Sequence, residues 1–316
     1  MRYRPRAETR ALRSYELIQV VAGGAALAPA VTPTGPPVVL YVATTVRWER
    51  QARRADTSAG LLVWQDAMTA WASRIELRAL RDVDAGLVMN DAMLPFVLDA
   101  GQANVAKAPP GIDTDRFYPP VAGWNRERHL SSVCRLSEPR KRLDRLIRAY
   151  REFVRTDEAA PKLVLAGQGV LPDEMQWLIS DSGLASRVLI PAGRSTRRID
   201  RALPGASVHV QTSEEEGLGM SVLKAMASGL PVVATDTAGT KECVVEGVTG
   251  RIVRQEPEQA FATAFADRVC DILARSGPSM AVAARERCKE AFSTNATLAR
   301  FTAVYDGLLG STTDKR

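Results

Sequence analysis

The stretch Gln211–Thr235, QTSEEEGLGMSVLKAMASGLPVVAT, predicts a single parallel βαβ unit. The short run Val208–Val210 just before it is typical of the end of a buried strand. An acidic loop punctuated by glycines follows, and apolar residues then recur at helical spacing over Met220–Ala227. Gly229 and Pro231 end that helix before the next apolar strand. We therefore expect the acidic loop at the carboxyl edge of a parallel sheet, where such folds bind ligands.

Glu216 stands where this loop joins the helix. At such a joint a carboxylate can accept a sugar hydroxyl, while the unpaired N–H groups of the helix start face a phosphate. Residues 213–236 resemble the donor-site signature of retaining GT-B glycosyltransferases of family 4, E-G-F-G-x-x-x-x-E-A-M-A-x-G-x-P-V-V-A. One departure is that the second Glu of the signature, eight residues after the first, is Lys224 here.

The composition is that of a globular protein with room for two domains, since 46% of the 316 residues are hydrophobic and 25% are charged. The net charge of +6 fits either a soluble arginine-rich surface or an anionic partner: a nucleoside diphosphate, an anionic lipid surface or nucleic acid. The four cysteines have no C-x-x-C spacing, which favours reduced thiols in the cytoplasm. With two histidines in the chain, we expect no metal site and no cofactor.

The segment Leu17–Val46 carries no charged residue and has the length of a membrane span. Gly23-Gly24 and the prolines at 29, 33, 36 and 37 divide it into pieces too short to span. Two buried parallel strands joined by a loop explain the segment better, because strands covered on both faces are continuously apolar.

Strand and helix patterns alternate along the rest of the chain, which indicates parallel sheets with helices on both faces. A turn-rich crossing, Pro109–Pro120, resembles the N-G-V-D-x-x-x-F-x-P linker that ends the first domain in the family. The resemblance implies the α/β GT-B fold with two Rossmann-like domains. We predict a truncated N-terminal acceptor-side domain over residues 1–115, a nucleotide-sugar donor domain over 116–296, and a C-terminal helix over 297–316 that crosses back to the first domain.

The first domain lacks the glycine-rich turn and about two strand–helix units that open its relatives. Three explanations stay open: a naturally short chain, a fragment, or a partner that supplies the missing edge. Because an exposed parallel edge is a liability, the missing part favours a homodimer.

Cys134–Asp144, CRLSEPRKRLD, follows a strand and opens a helix, which suits phosphate binding. It resembles the family's G-R-L-x-x-x-K-G-x-D, in which Arg and Lys hold the diphosphate. The resemblance assigns these roles to Arg135 and Lys141, whose guanidinium fork and ammonium group both suit phosphate oxygens. The alternative is a solvated basic helix end. Cys134 and Arg142 stand where the pattern has glycine.

The remaining donor-site residues follow from the same resemblance. Glu216 would meet hydroxyls of the transferred sugar. The family's second carboxylate accepts ribose hydroxyls, whereas Lys224 has three donors and no acceptor, so it would contact a phosphate or a ribose oxygen, or its function is lost. The donor-binding residues predicted besides Lys224 are Gly167, Gly169, Gly217, Leu218 and Gly219.

The resemblance implies a retaining glycosyltransferase that moves a hexose from a UDP- or GDP-linked donor to an acceptor hydroxyl on a glycan, lipid or small molecule. The family works by front-face retention, in which Glu216, Arg135 and Lys141 would contribute the catalytic charges. The alternative is a degenerate, non-catalytic relative that binds nucleotide or pairs with an active subunit. Nucleic-acid binding has only charge in its favour, since aromatic residues make up 6% of the chain. We expect a cytoplasmic protein, soluble or peripheral at the inner membrane face.

Overall fold

The computed structural model describes residues 7–47, 59–157, 159–191, 202–255 and 257–313, and the chain forms two compact units. Unit 1 comprises residues 1–110 and 297–316, and unit 2 comprises residues 111–296. The sequence pattern over residues 199–203 predicts a short helical turn, and residues 199–201 lie outside the described ranges.

Unit 1 is built on a parallel sheet in the order β1-β2-β3-β4. Its apolar strands alternate with helices, as the sequence predicts, and β2 is buried along its whole length. The segment Leu17–Val46 forms β1 and β2 with two 3₁₀ turns between them. The elements are β1 (Ile18–Ala22), β2 (Val38–Val42), α1 (Ala59–Asp82), β3 (Ala85–Val88), α2 (Met93–Asp99) and β4 (Val105–Lys107).

The helices that the structure describes include none with both the length and the apolar character needed to cross a membrane. The prediction of two strands rather than a span over Leu17–Val46 is thus confirmed. Within the described residues β1 is an edge strand, paired with β2 alone.

Unit 2 contains a second parallel sheet, in the order β10-β9-β8-β5-β6-β7. Its elements are β5 (His129–Val133), α3 (Leu143–Thr156), β6 (Leu163–Ala166), α4 (Asp173–Asp181), β7 (Val188–Leu189), β8 (Ala206–Gln211), α5 (Met220–Ala227), β9 (Val232–Thr235), α6 (Ala238–Cys243), β10 (Gly250–Val253), α7 (Glu258–Asp271) and α8 (Gly277–Phe292). The predicted βαβ unit is β8-α5-β9, and α5 has the predicted bounds.

The chain reverses direction across this sheet between β5 and β8. It runs outward from β5 to β6 and β7, then returns to place β8 on the other side of β5. Such a switch point leaves a crevice at the carboxyl ends of the strands. The loops after β5, β6 and β8 therefore share one edge of the sheet.

The last helix, α9 (Thr294–Thr313), belongs to unit 1 from Thr297 onward. Phe301 lies edge-on to Tyr41 of β2, with ring centroids 5.4 Å apart, a favourable aromatic geometry. Val304, Tyr305 and Leu308 extend this apolar contact with the sheet of unit 1. The C-terminal segment thus completes the core of the unit that begins the chain.

Candidate active site

The acidic loop, Ser213–Gly219, comes after the end of β8, whose six residues are all buried. Gln211 ends the strand, and Thr212 and Ser213 that follow are each 1% exposed. The loop closes at Gly219, which takes a left-handed conformation (φ 78°) as the N-cap of α5. A residue with a Cβ is strained in that conformation, so this glycine sets the entry into the helix.

Glu216 is held by three donors that reach the same carboxylate oxygen. Its Oε1 accepts Gln211 Nε2 at 2.6 Å and Ser213 Oγ at 2.8 Å, and it lies 2.5 Å from Lys141 Nζ. The Lys141 and Glu216 side chains are 14% and 13% exposed. The structure therefore brings two of the predicted catalytic residues into a mostly buried ion pair, oriented by neutral donors from the end of β8.

Hydrogen bonds to backbone carbonyls connect the acidic loop to the basic loop (residues 134–142) that follows β5. Thr212 Oγ1 donates to the carbonyl oxygens of Lys141 (3.2 Å) and Arg142 (3.0 Å). The Glu214 amide donates to the Arg140 carbonyl at 2.9 Å. All three acceptors are backbone carbonyls and no donor is a charged side chain, so these bonds fix the register of the two loops without the charged groups.

Arg135, the third predicted catalytic residue, forms an ion pair with Glu138 and not with Glu216. Its Nη2 is 2.6 Å from Glu138 Oε2, and its side chain is 61% exposed. Arg140 contacts the other oxygen of Glu138, with Nε at 2.9 Å. Two guanidinium groups thus share one carboxylate, and Arg140 Nη1 also lies 3.8 Å from Glu215 Oε2, so both arginines have acidic neighbours.

Cys134 lies among these charges but is not set up as a nucleophile. Burial is the main effect and raises the pKa of its thiol to about 12, with smaller opposing effects from the charges of Lys141 and Glu216. A thiol with so high a pKa stays protonated at neutral pH and is unreactive. All four cysteines of the chain fall within the described residues and are free thiols.

The Gly-Gln-Gly turn after β6 packs directly against the basic loop. A Cβ on Gly167 would lie 1.6 Å from the Cys134 carbonyl oxygen, and one on Gly169 would lie 3.0 Å from Ser137 Oγ. Both glycines also have positive φ, 150° and 93°. The Leu136 amide donates to the Gln168 carbonyl at 2.8 Å. Loops from three adjacent strands therefore meet, and glycine is required at the tightest contact.

Helix α6 packs against the acidic loop, and the sequence patterns did not predict this helix. The Gly239 amide donates to the Glu216 carbonyl at 2.9 Å, and Cys243 Sγ donates to the Leu218 carbonyl at 2.8 Å. A Cβ on Gly239 would lie 2.7 Å from the Leu218 amide nitrogen. Leu218 is 4% exposed, so its side chain is a core residue while its backbone belongs to the loop, beside Gly217 and Gly219.

Lys224 contacts a different part of unit 2. Its Nζ lies 5.4 Å from the ring centroid of Phe117, within the range of a cation–π contact. The guanidinium of Arg116 lies 5.6 Å from the same centroid. Phe117 belongs to the predicted linker and is 6% exposed. The structure therefore separates the contacts of Lys224 from those of Glu216, although both residues belong to one motif.

Sequence reasoning missed several residues that position the site, namely Gln211, Thr212, Ser213, Glu138 and Arg140. The first three lie within or at the start of the acidic motif, where a polar side chain at a buried strand end was the available signal. Within the described residues no three His, Cys, Asp or Glu side chains are grouped so that they could hold a metal ion.

Comparison with known proteins agrees with this geometry. A family model described as Glycosyl transferases group 1 matches residues 127–274, which include the basic loop, the Gly-Gln-Gly turn and the acidic loop. This segment is therefore similar to the glycosyl transferases group 1 family. The predicted family is thereby confirmed for the segment that carries the site.

One curated relative is the GDP-mannose-dependent alpha-(1-6)-phosphatidylinositol monomannoside mannosyltransferase of Mycolicibacterium smegmatis. It is 35% identical over 195 residues, which are 56% of this chain and 50% of that protein. The chain thus spans about half the length of this relative.

Solved structures of glycosyltransferases share the fold. Sucrose-phosphate synthase from Thermosynechococcus elongatus superposes with a TM-score of 0.74 at 20% identity, over 96% of this chain and 76% of that one. Anabaena Alr3699/HepE in complex with UDP and glucose gives 0.72 at 16% identity, over 95% and 80%. The prediction of an α/β GT-B fold is confirmed.

Proposed function

We propose that this protein transfers a hexose from a nucleoside-diphosphate sugar to an acceptor hydroxyl, with retention of the anomeric configuration. The observation that carries the proposal is the Lys141–Glu216 ion pair at the meeting of the basic and acidic loops. A sugar nucleotide carries the complementary set of groups, since its phosphates can bind the ammonium and its sugar hydroxyls can donate to the carboxylate.

In the proposed reaction the bond between the anomeric carbon and the donor's β-phosphate oxygen breaks, and a bond to the acceptor oxygen forms on the same face. The acceptor's hydroxyl proton passes to the leaving phosphate. Lys141 and Arg135 would stabilise the negative charge that grows on the pyrophosphate, and Glu216 would orient the hexose. Arg135 would exchange its contact with Glu138 for the phosphate, while Arg140 stays to pair with Glu138.

The glycines and loop amides would complete the donor site. Gly217, Leu218 and Gly219 precede α5, and their backbone can approach phosphates at the helix start. Gly167 and Gly169 would accept the nucleoside side of the donor, and we expect no metal or cofactor. Lys224 would add a positive charge at the edge of the site from its position over Phe117.

Titration calorimetry with UDP and GDP, followed by assays for release of hexose from their sugar derivatives, tests this function. We expect one nucleotide to bind and its sugar derivative to turn over. Nucleotide binding without turnover, unchanged by added acceptors, would identify a non-catalytic relative. Absence of binding to either nucleotide would overturn the proposal.

The stereochemical part of the proposal has its own test. NMR of the first product formed from an α-linked donor should show the larger one-bond C1–H1 coupling of an α-glycoside, which identifies the anomer for glucosyl and mannosyl products alike. The smaller coupling of a β-glycoside would mean inversion and would rule out front-face transfer, while leaving the donor site itself intact.

We propose a glycan or lipid acceptor and a cytoplasmic protein that works at the inner face of the membrane. The support is the relative from M. smegmatis, whose name specifies a phosphatidylinositol-based acceptor. The edge strand β1 favours a homodimer, which light scattering would detect.

A further inference from the structure

Two buried neutral side chains, Gln211 and Ser213, share one oxygen of the Glu216 carboxylate. Gln211 is 6% and Ser213 is 1% exposed, and both donate to Oε1, where Lys141 Nζ is the third donor. A carboxylate oxygen offers about two lone-pair sites, so three donors crowd this atom. No donor among the described residues contacts the other oxygen, Oε2. Glu216 therefore has one oxygen that is fully engaged and one that is available to a ligand.

The parallel sheet of unit 2 fixes both neutral donors. Gln211 is the last residue of β8 and pairs with Ala234 of β9 in the register of the two strands. The Ser213 carbonyl accepts Thr235 Oγ1 at 2.5 Å, and the Ser213 hydroxyl lies 3.2 Å from Gln211 Nε2. Donors that are tied to strands hold a functional group more precisely than donors on free loops.

The orientation of the Gln211 amide follows from its contact with Glu216. An ionised carboxylate only accepts hydrogen bonds, so the NH₂ group of Gln211 must face it, since a flipped amide would bring two oxygens to 2.6 Å. This orientation leaves the Gln211 Oε1 atom buried, with no hydrogen-bond partner in the part of the chain that the structure describes. A buried acceptor without a donor is destabilising. The contact with Glu216 offsets that cost, which indicates that Gln211 serves the site and not the core.

We propose that Gln211 and Ser213 are positioning residues, which hold Glu216 in place while Lys141 turns from the carboxylate to a phosphate of the sugar donor. Two neutral donors then remain on Oε1, about as many as its lone pairs accommodate, and Oε2 accepts a hydroxyl of the hexose. Without these donors the carboxylate would rotate freely, and the hexose would lose its orientation before transfer. This inference rests on the proposed function and adds two residues to it.

Steady-state kinetics of Gln211→Met and Ser213→Ala test this role on the full chain. Each substitution removes one donor to Glu216 and leaves the charges of the site unchanged. We expect kcat for the nucleotide sugar to fall about 10- to 100-fold, because the hexose is misplaced. The Kd of the free nucleoside diphosphate, UDP or GDP, should change less than about threefold, since this ligand carries no hexose.

Ser228→Ala is the matched control. Ser228 is 0% exposed and follows α5 in the same βαβ unit, and its hydroxyl donates to the Lys224 carbonyl and not to Glu216. This variant loses an equally buried hydroxyl, so its kcat should stay close to that of the wild type.

Gln211→Glu distinguishes a positioning role from a merely structural one. The new side chain has nearly the size of glutamine but places a second carboxylate beside Glu216, and two carboxylates so close cannot both ionise readily. A proton on the pair restores one donor, so kcat of this variant should rise relative to the wild type as the pH falls from about 8 to about 6. Lys141 and the carboxylates of the loop are common to both proteins and cancel in the comparison.

The thiols near Glu216 do not titrate in this range of pH. Burial raises the pKa of Cys134 to about 12 and that of Cys243 well above its usual value. A pH dependence confined to the Gln211→Glu variant therefore reports the carboxylate pair.

The inference is wrong if Gln211→Met and Ser213→Ala turn over like Ser228→Ala, or if the pH profile of Gln211→Glu matches that of the wild type. It is also wrong if nucleotide binding falls as much as kcat, because the fold or the phosphate site would then be the cause. In each of these cases a wild type that turns over retains the proposed function. A wild type without turnover would overturn the proposed function and this inference together.

Discussion

Glu216 and Lys224 stand eight residues apart in one motif, yet different interactions stabilise the segments around them. The Glu216 end is a loop fixed by polar contacts with Gln211, Ser213 and Lys141. The Lys224 end is a helix, α5, in which Val222, Leu223 and neighbouring apolar residues are fully buried. Hydrogen bonds and an ion pair thus fix the loop end of the motif, whereas apolar packing fixes the helix end. Charge changes should therefore be costly in the loop and mild on the helix.

The largest effect on turnover should come from removing the positive charge of Lys141, which pairs with Glu216 at the loop end. Lys141→Met should lower turnover by about 10²–10³-fold, because it removes a cation that stabilises charge on the leaving group. The measurement is kcat with saturating donor. Lys289→Met, at an exposed lysine of α8, is the control and should behave as wild type. Equal rates for the two variants would remove Lys141 from the mechanism.

Gly167→Ala should disrupt the contact between the Gly-Gln-Gly turn and the basic loop. The new Cβ would fall 1.6 Å from the Cys134 carbonyl, so backbone must shift, and we expect a loss of about 3 kcal/mol or more in the free energy of unfolding. Gly183 also has positive φ (70°), but a Cβ added there would meet none of the described atoms within 4 Å. Gly183→Ala should therefore cost only about 1 kcal/mol. Urea titration of both variants distinguishes crowding from backbone strain, and similar losses would show that crowding at Gly167 is unimportant.

A third test concerns β8, the strand that leads into the loop. Burial lowers the pKa of His209 from 6.5 to about 4. The unfolded chain therefore binds a proton more readily between these values, and stability should fall as the pH drops from about 6.5 toward 4, by up to about 3 kcal/mol. His209→Gln cannot take up that proton, so its stability should depend less on pH over this window. Parallel slopes for the two proteins in urea titrations would refute the prediction.

The smallest effect is expected at the helix end. Lys224→Met should lower the free energy of unfolding by about 0.5–1 kcal/mol, the size of one cation–π contact with Phe117. Lys224→Arg should retain most of it. Turnover of the methionine variant should stay far above that of Lys141→Met. If both variants lose activity equally, the two ends of the motif act as one unit and the comparison fails.

Most elements of unit 2, with the exception of α6, were predictable because each depends on local signals. Gly229 and Pro231 end α5, and the apolar runs on either side are long enough to identify strands. Lys141 and Glu216 could be placed in one site only through the family resemblance, since they are 75 residues apart in the chain, and their ion pair was not predicted. Arg135 shows the limit of that approach, because its contact with Glu138 depends on how one loop bends.

Arg142 shows another kind of limit. It adopts a left-handed conformation (φ 47°, ψ 50°) where the family pattern has glycine, and an L-residue there costs about 1–2 kcal/mol. Its guanidinium forms two hydrogen bonds of 3.0 Å with Asp144, which offset part of this cost. The missing glycine was visible in the sequence, but the compensating contact was not, because it depends on side-chain direction.

The resting pairing of Lys141 with Glu216 has a consequence for how a ligand enters. The ammonium already has an internal counter-ion, so an arriving phosphate must displace a carboxylate and not merely shed water and salt. Glu216 stays in its loop, so the exchange replaces one counter-ion of the ammonium by another and releases few bound ions from the protein. We therefore expect nucleotide affinity to decline only gently as ionic strength rises, unlike a pocket lined by bare cations.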